Sequence, residues 1–93
     1  MKRNVYYTTR FKKDLKRYRN DKERRGKIAK VVKMLSDGAE IPADMRPHPL
    51  KGNYSGCMEL HIEGDLLLIW LEKPKSGEED IYLVRIGSHS DLF

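Results

Sequence analysis

Residues 58–71, with the sequence MELHIEGDLLLIWL, decide the fold because they predict a β-hairpin. Residues 58–63 alternate strictly between apolar and polar side chains, which is typical of a strand with one face on a core. The Glu63-Gly64-Asp65 segment supplies a turn. Leu66 to Leu71 is apolar on both faces, so we expect a central strand that is covered on both sides.

Upstream of the hairpin, the sequence predicts one strand and two helices. The strand covers residues 4–8, and Thr8 or Thr9 can cap the first helix. A second helix, capped by Asp21, is predicted to run to about Leu35, where the sequence Ser-Asp-Gly ends it. The expected buried positions recur at helical spacing and are Phe11, Leu15, Tyr18, Ile28, Val31, Val32 and Leu35.

Downstream of the second helix, residues 39–52 lack periodicity and contain three prolines, which predicts an irregular connection. Residues 74–79 predict a polar hairpin loop, residues 81–86 a last strand, and residues 87–93 a terminal turn. The predicted order is β-α-α-β-β-β. A two-helix hairpin would pack on a small, mostly antiparallel four-stranded sheet, an α+β fold. Because the chain has 93 residues, we expect a single domain over residues 1–93.

The charge of the chain is strongly segregated. Residues 1–33 hold 14 of the 19 Lys and Arg residues against three acids, a balance of +11, and the remainder carries −6. Such a basic segment suits a polyanion such as nucleic acid, although a solvated helix surface explains it equally well. No apolar run approaches a membrane span, and the N-terminus lacks a signal peptide, so we expect a cytoplasmic protein.

The single cysteine, Cys57, excludes an internal disulfide and a multi-cysteine zinc site, and we interpret it as a packing residue. Three histidines, His48, His61 and His89, are the first candidates for chemistry. Each alone is more often a surface or structural residue. However, His48 lies between two prolines, His61 on the polar side of its strand, and His89 in a Gly-Ser turn. Their spacing matches no compact metal-ligand pattern, so we expect no metal and no cofactor.

Arg85 interrupts the last strand and is predicted to face the same way as Ile81 and Leu83, where a charge is costly unless it reaches a groove. A structural salt bridge to Glu59 or Glu63 is the alternative interpretation of Arg85. Asp65 alone would be only a turn residue.

Together, such residues suit cleavage of an RNA phosphodiester by its own 2′-hydroxyl. The reaction needs a base, an acid, and a cation beside the phosphate, which histidine and arginine can supply without a metal.

Three spaced motifs carry a resemblance to a known family. They are H-P-L-x-G from His48, H-x-x-x-D from His61, and R-x-G-x-H-x-x-L-F from Arg85. In this order, and over essentially the whole chain, the sequence resembles the YafQ branch of the RelE-type toxins. The resemblance implies the toxin of a bacterial type II toxin–antitoxin system. Such a toxin is an endoribonuclease that cuts mRNA, typically in the ribosomal A site, and is neutralised in a hetero-oligomeric complex by a small antitoxin.

By position, the resemblance implies active-site roles for His48, His61, Asp65, Arg85 and His89. The general acid would be His89, and the base would be Asp65, helped by His61 or His48. Some members carry tryptophan after the aspartate, where this chain has Leu66, so base preference is not transferred. The residues expected to contact substrate are Phe93, which has C-terminal packing as its alternative role, and the basic residues Lys51, Lys12, Lys13, Lys16 and Arg17.

Three other functions remain open from the sequence. A ParE-like toxin directed at DNA gyrase would share the fold, but it would not be expected to keep the histidine–aspartate–arginine set. A non-catalytic nucleic-acid-binding module would use the basic helices without needing His89. A third possibility is a subunit whose basic face binds an acidic protein.

Overall fold

One five-stranded sheet carries the fold, with its strands in the order β1-β5-β4-β3-β2. A computed structural model of the chain describes residues 3–75 and 78–93. In this part of the chain β1 pairs with β5 in parallel, and the other neighbours are antiparallel. The strands are β1 (Asn4–Tyr7), β2 (His48–Pro49), β3 (Met58–Glu63), β4 (Leu66–Lys75) and β5 (Glu78–Gly87), and the helices are α1 (Thr9–Leu15), α2 (Lys22–Asp37) and α3 (His89–Leu92).

The predicted α+β class and element order are confirmed, and the strand count differs by one. Residues 48–49 form β2 instead of an irregular connection, because an extended backbone between Pro47 and Pro49 can pair with β3. The prediction of a loop over residues 74–79 is wrong for most of that range. The strands of the β4–β5 hairpin extend to Lys75 and resume at Glu78, and residues 76–77 lie outside the described residues.

Both predicted helix starts are confirmed by their caps. The Thr8 side chain accepts a hydrogen bond of 3.2 Å from the backbone N–H of Phe11, and it also donates to the carbonyl of Leu83. Helix α1 then tightens into a 3-10 turn over Lys16–Tyr18. Helix α2 begins after Asp21, whose side chain accepts from the backbone of Arg24, and extends two residues beyond the predicted end.

Two separate apolar clusters cover the two sides of the sheet. The larger cluster, here called the helix-side core, lies under α1 and α2 and includes Phe11, Val31 and Leu68. The smaller cluster, here called the site-side core, contains buried Leu67, Ile69 and Leu92 with partly buried neighbours. Alternate residues of β4 enter different clusters, which confirms the prediction that this strand is covered on both faces.

Two register irregularities change the faces predicted for charged residues. Trp70 pairs with Leu83 but Ile69 pairs with Arg85, so Val84 is an extra residue in β5. Arg85 consequently shares the side of Ile69, and the prediction that it faces the same way as Leu83 is wrong. A second shift lies between His61 and Glu63. The carboxylate of Glu63 lies 3.3 Å from Nε of Arg24 and 3.5 Å from Nζ of Lys27, both on α2.

Candidate active site

An open pocket of about 390 Å³ lies beside the site-side core. It is formed where β2, the β3–β4 hairpin and the C-terminal helix α3 meet. The three histidines, which are far apart in the sequence, line this single pocket. Its other polar lining residues are Glu59 and Asp65, so four of the five predicted catalytic residues share one cavity. The full lining is His48, Glu59, His61, Gly64, Asp65, Leu67 and His89.

Glu59 is the central residue of one end of the pocket, and we did not single it out from the sequence. Its Oε1 lies 3.2 Å from Nε2 of His48 and 3.8 Å from Nε2 of His61. The carboxylate is only 6% exposed, and its Oε2 has no hydrogen-bond partner among the described residues. The alternation of β3 places Glu59 on the same side as His61, and this was the available signal. It was weak, because carboxylates on a polar strand face are usually solvated.

The contacts of His48 determine where a proton must lie. Its Nδ1 is 2.7 Å from the carbonyl oxygen of Arg46, and a carbonyl can only accept, so Nδ1 carries a hydrogen. The other ring nitrogen faces a carboxylate oxygen at hydrogen-bond distance. Two lone pairs would repel at this distance, and therefore a proton lies between His48 and Glu59. The three groups His48, Glu59 and His61, here called the proton-sharing cluster, thus place one carboxylate oxygen between two imidazole rings, within hydrogen-bond distance of His48 and 3.8 Å from His61.

The other end of the pocket is built by the short helix α3. Ser88 caps it in a capping box with Asp91, and the backbone N–H of His89 donates to Oδ1 of Asp65 at 3.0 Å. Asp65 therefore ties the β3–β4 turn to the residue that bears the predicted acid. A side chain at Gly87 would approach Cβ of Asp91 to 3.2 Å, which explains a glycine at this position of the motif. Residues 89–92, which lie within the segment predicted as a terminal turn, are helical.

Arg85 does not line the pocket. Its Nε and Nη2 donate to the two carboxylate oxygens of Asp14 at 2.7 and 3.2 Å, and its Nη1 donates to the hydroxyl of Tyr54. The sequence analysis allowed a salt bridge to Glu59 or Glu63, whereas the partner is Asp14 on α1. The hydrogen bond with Asp14 raises the pKa of Arg85, so the guanidinium stays charged.

Phe93 stands beside the pocket with 58% of its surface exposed. Its ring lies edge-on to His89, with centroids 4.9 Å apart, and also contacts Tyr54 at 5.5 Å. An exposed ring next to His89 can stack on an unpaired base. Leu66, in contrast, is buried in the helix-side core and cannot serve that purpose.

The basic residues predicted to contact substrate differ in their surroundings. Lys12, Lys13 and Lys16 are exposed and form no ion pair with another described residue. Arg17, in contrast, lies 2.6 Å from Oδ2 of Asp91. Lys51 is exposed, three residues after His48. Among the residues predicted to contact substrate, Lys12, Lys13 and Lys16 therefore offer positive charge that no described carboxylate neutralises.

Burial raises the pKa of the Cys57 thiol, and the side chain packs against the site-side core, in agreement with a packing role. Among residues 3–75 and 78–93, no group of three or more His, Cys, Asp or Glu side chains has an arrangement that could hold a metal ion. No helix in the described ranges is long and apolar enough to cross a membrane.

Comparisons with known proteins identify the family of this chain. A family model described as "Bacterial toxin of type II toxin-antitoxin system, YafQ" matches residues 3–93. The chain belongs to this family. The mRNA interferase toxin YafQ of Escherichia coli K12 is 27% identical over 94 residues, which cover 100% of this chain and 98% of that protein.

Solved structures of the YafQ family also match. The crystal structure of YafQ from E. coli BL21(DE3) has a TM-score of 0.86 at 26% identity and covers 98% of both chains. The E. coli DinJ–YafQ toxin–antitoxin complex contains a chain that matches with a TM-score of 0.78 at 26% identity, covering 100% of this chain and 99% of that one. Fold and family are thus established over nearly the full sequence.

Proposed function

We propose that this chain is an mRNA-cleaving endoribonuclease, the toxin of a type II toxin–antitoxin pair. The observation that carries the proposal is the convergence of His48, His61 and His89 on one open pocket. The name of the E. coli relative, an mRNA interferase toxin, supports the substrate. Translating ribosomes hold mRNA in an accessible extended form, so we place the cleavage in the ribosomal A site, in the cytoplasm.

The two ends of the pocket suit the two proton transfers of the reaction. The proton-sharing cluster of His48, Glu59 and His61 takes the proton from the 2′-hydroxyl, whose oxygen then attacks the phosphorus. The ring of His89 protonates the departing 5′-oxygen, which leaves a 2′,3′-cyclic phosphate and a free 5′-hydroxyl. A base and an acid at separate ends of one cavity are the arrangement that an in-line displacement needs. Glu59 is thereby added to the set inferred from the sequence, and Asp65 acts by holding the backbone of His89.

We assign stabilisation of the negative charge on the phosphate to groups whose positive charge is available to the substrate. His48 is cationic when the shared proton resides on its ring. Lys51, three residues after His48, is exposed. The charge of Arg85 is matched by Asp14, so this residue takes a supporting role. Lys12, Lys13 and Lys16 contact the nucleic acid backbone, where each displaces condensed counterions.

Neutralisation by a small antitoxin is part of the proposal, supported by the E. coli DinJ–YafQ complex. A non-catalytic nucleic-acid-binding module would have no need for an acid, a carboxylate and two further histidines in one cavity. A gyrase-directed toxin would likewise not require them. The site therefore favours the nuclease over both alternatives.

The test is induction of the chain in bacteria, with growth and mRNA 5′ ends followed by primer extension. We expect growth arrest and new transcript ends, and we expect His89→Ala to reduce cleavage by about 100-fold or more. Ser90→Ala is the matched control, since Ser90 is an exposed neighbour on α3. If cells that express the folded chain grow normally and keep intact transcripts, the nuclease proposal is wrong. Wild-type cleavage by His89→Ala would remove His89 as the acid.

A further inference from the structure

The pair formed by Asp14 and Arg85 joins helix α1 to the strand that leads into α3. The carboxylate of Asp14 is 7% exposed and accepts three hydrogen bonds, from Nε and Nη2 of Arg85 and from the backbone N–H of Ile86 at 3.1 Å. A buried, two-pronged pair of this kind fixes the orientation of the guanidinium plane. The direction in which Nη1 of Arg85 points is therefore set by α1.

Tyr54 continues this chain of contacts towards the pocket. Its hydroxyl accepts from Nη1 of Arg85 at 3.2 Å and donates to the carbonyl of Leu92 at 3.1 Å. Its ring lies edge-on to Phe93, which in turn lies edge-on to His89. One uninterrupted series of contacts therefore leads from a buried carboxylate on α1 to the ring of the proposed acid.

A second tie connects the same helical segment to α3. Arg17, one turn after Asp14, lies 2.6 Å from Asp91, the residue that closes the capping box of α3. This pair is exposed and contributes little by itself, because solvent screens it. Together with the Asp14–Arg85 pair, it nevertheless gives the C-terminal segment two contacts with α1 and the turn that follows it.

We propose that Asp14 and Tyr54 are positioning residues of the site. Asp14 acts through Arg85, Tyr54 joins Arg85 to the carbonyl of Leu92, and together they hold α3 so that His89 and Phe93 face the pocket. The proposal rests on the proposed function, because it gives these two residues an effect on RNA cleavage. Arg85 has three of its five N–H groups engaged and does not line the cavity, which is what a connecting group requires.

The test compares Asp14→Asn and Tyr54→Phe with Asp80→Asn. Asp80 is a matched control, because it is as buried as Asp14 at 6% exposure and lies at the opposite end of β5. The first measurement is the kcat and KM of mRNA cleavage on ribosomes. We expect both positioning variants to lower kcat by about 10- to 100-fold with KM nearly unchanged, because a small misplacement of the acid slows the chemical step.

The second measurement separates positioning from loss of stability. In a His89→Ala background, Asp14→Asn should cause no further loss of cleavage, since both changes act through the same ring. In the free protein, Asp14→Asn and Tyr54→Phe should move the ring NMR signals of His89 and Phe93, and Asp80→Asn should leave them in place. Tyr54→Phe removes one hydroxyl, so it tests the proposal even where Asp14→Asn folds poorly.

Unchanged ring signals and unchanged kcat in both variants would overturn the proposal. An equal loss of activity in Asp80→Asn would also overturn it, because the effect would then be general destabilisation. If the wild-type chain cuts no RNA, the proposed function fails. The NMR comparison then still decides whether Asp14 and Tyr54 hold α3.

Discussion

The two faces of the sheet differ in the size of their apolar cores and in the polar groups that lie beside them. Among the described residues, the helix-side core contains 12 buried side chains and the site-side core contains three. The helix-side core consists of hydrophobic residues, whereas the smaller site-side core lies next to buried Glu59 and two histidines. A carboxylate in such a place costs free energy, because it has left water without a complete set of partners. The helix-side face thus stabilises the domain and allows the other face to hold a polar site that is costly to bury.

Two adjacent leucines of β4 give the largest test of this comparison. Leu68 is fully buried in the helix-side core, and Leu67 is 2% exposed in the site-side core. We expect Leu68→Ala to lower the free energy of unfolding by about 4 to 5 kcal/mol and Leu67→Ala by about 2 to 3 kcal/mol. The smaller cluster is more open and can collapse into the space left behind. Urea denaturation measures both changes in the free energy of unfolding. Equal losses would contradict the conclusion that the helix-side core contributes more to stability than the site-side core.

Glu59→Gln should separate activity from stability. The amide keeps the shape of the side chain but cannot share a proton with His48, so we expect cleavage to fall by about 10- to 100-fold. The free energy of unfolding should change by less than about 1 kcal/mol, because the burial cost of a charge is removed together with its pairing.

Glu63→Gln is the control for this substitution, as Glu63 lies on the same strand but pairs with α2. Cleavage is measured on the same mRNA with each variant. Full activity of Glu59→Gln would exclude the proton-sharing cluster as the base, and an equal loss in Glu63→Gln would point to the fold instead.

The smallest expected effect concerns the pH dependence of α3. Hydrogen bonds from Ser88 hold the pKa of Asp91 below its ordinary value of 3.8. The charged form is thus favoured in the folded state, and its contribution is complete above pH 3.8 and is lost as the pH falls through the lowered pKa. We expect the ring signals of Phe93 to shift in that acidic range in the wild type and to shift less in Asp91→Asn. Identical acid titrations would show that this carboxylate does not hold α3.

Much of this architecture follows from patterns that the sequence displays directly. The alternation in β3, the doubly apolar β4, and the caps at Thr8 and Asp21 are local features, and local features specify local structure. The pocket was also anticipated, because the histidines occupy positions that the apolar pattern does not need. The motif resemblance supplied the reason to place them together.

The features that were not predicted depend on one-residue shifts in strand register and on contacts between residues that are distant in the sequence. An extra residue at Val84 moves Arg85 to the other face, and periodicity contains no mark of such a bulge. The partner of Arg85 is Asp14, an acid among the basic residues of α1, and no local pattern marks it as that partner. Glu59 was hidden for a similar reason, since its contact with His48 depends on the pairing of β2 with β3.

The parallel pairing of β1 with β5 has a consequence for synthesis. Asn4 lies opposite Asp80, so β1 cannot join the sheet until β5 has also emerged from the ribosome. Contacts this distant in sequence form late, because closing a long loop costs entropy before any pairing compensates for it. Arg85 and His89 emerge later still. A nascent chain can thus form its β3–β4 hairpin early, yet it acquires the assembled pocket only after Arg85 and His89 have emerged.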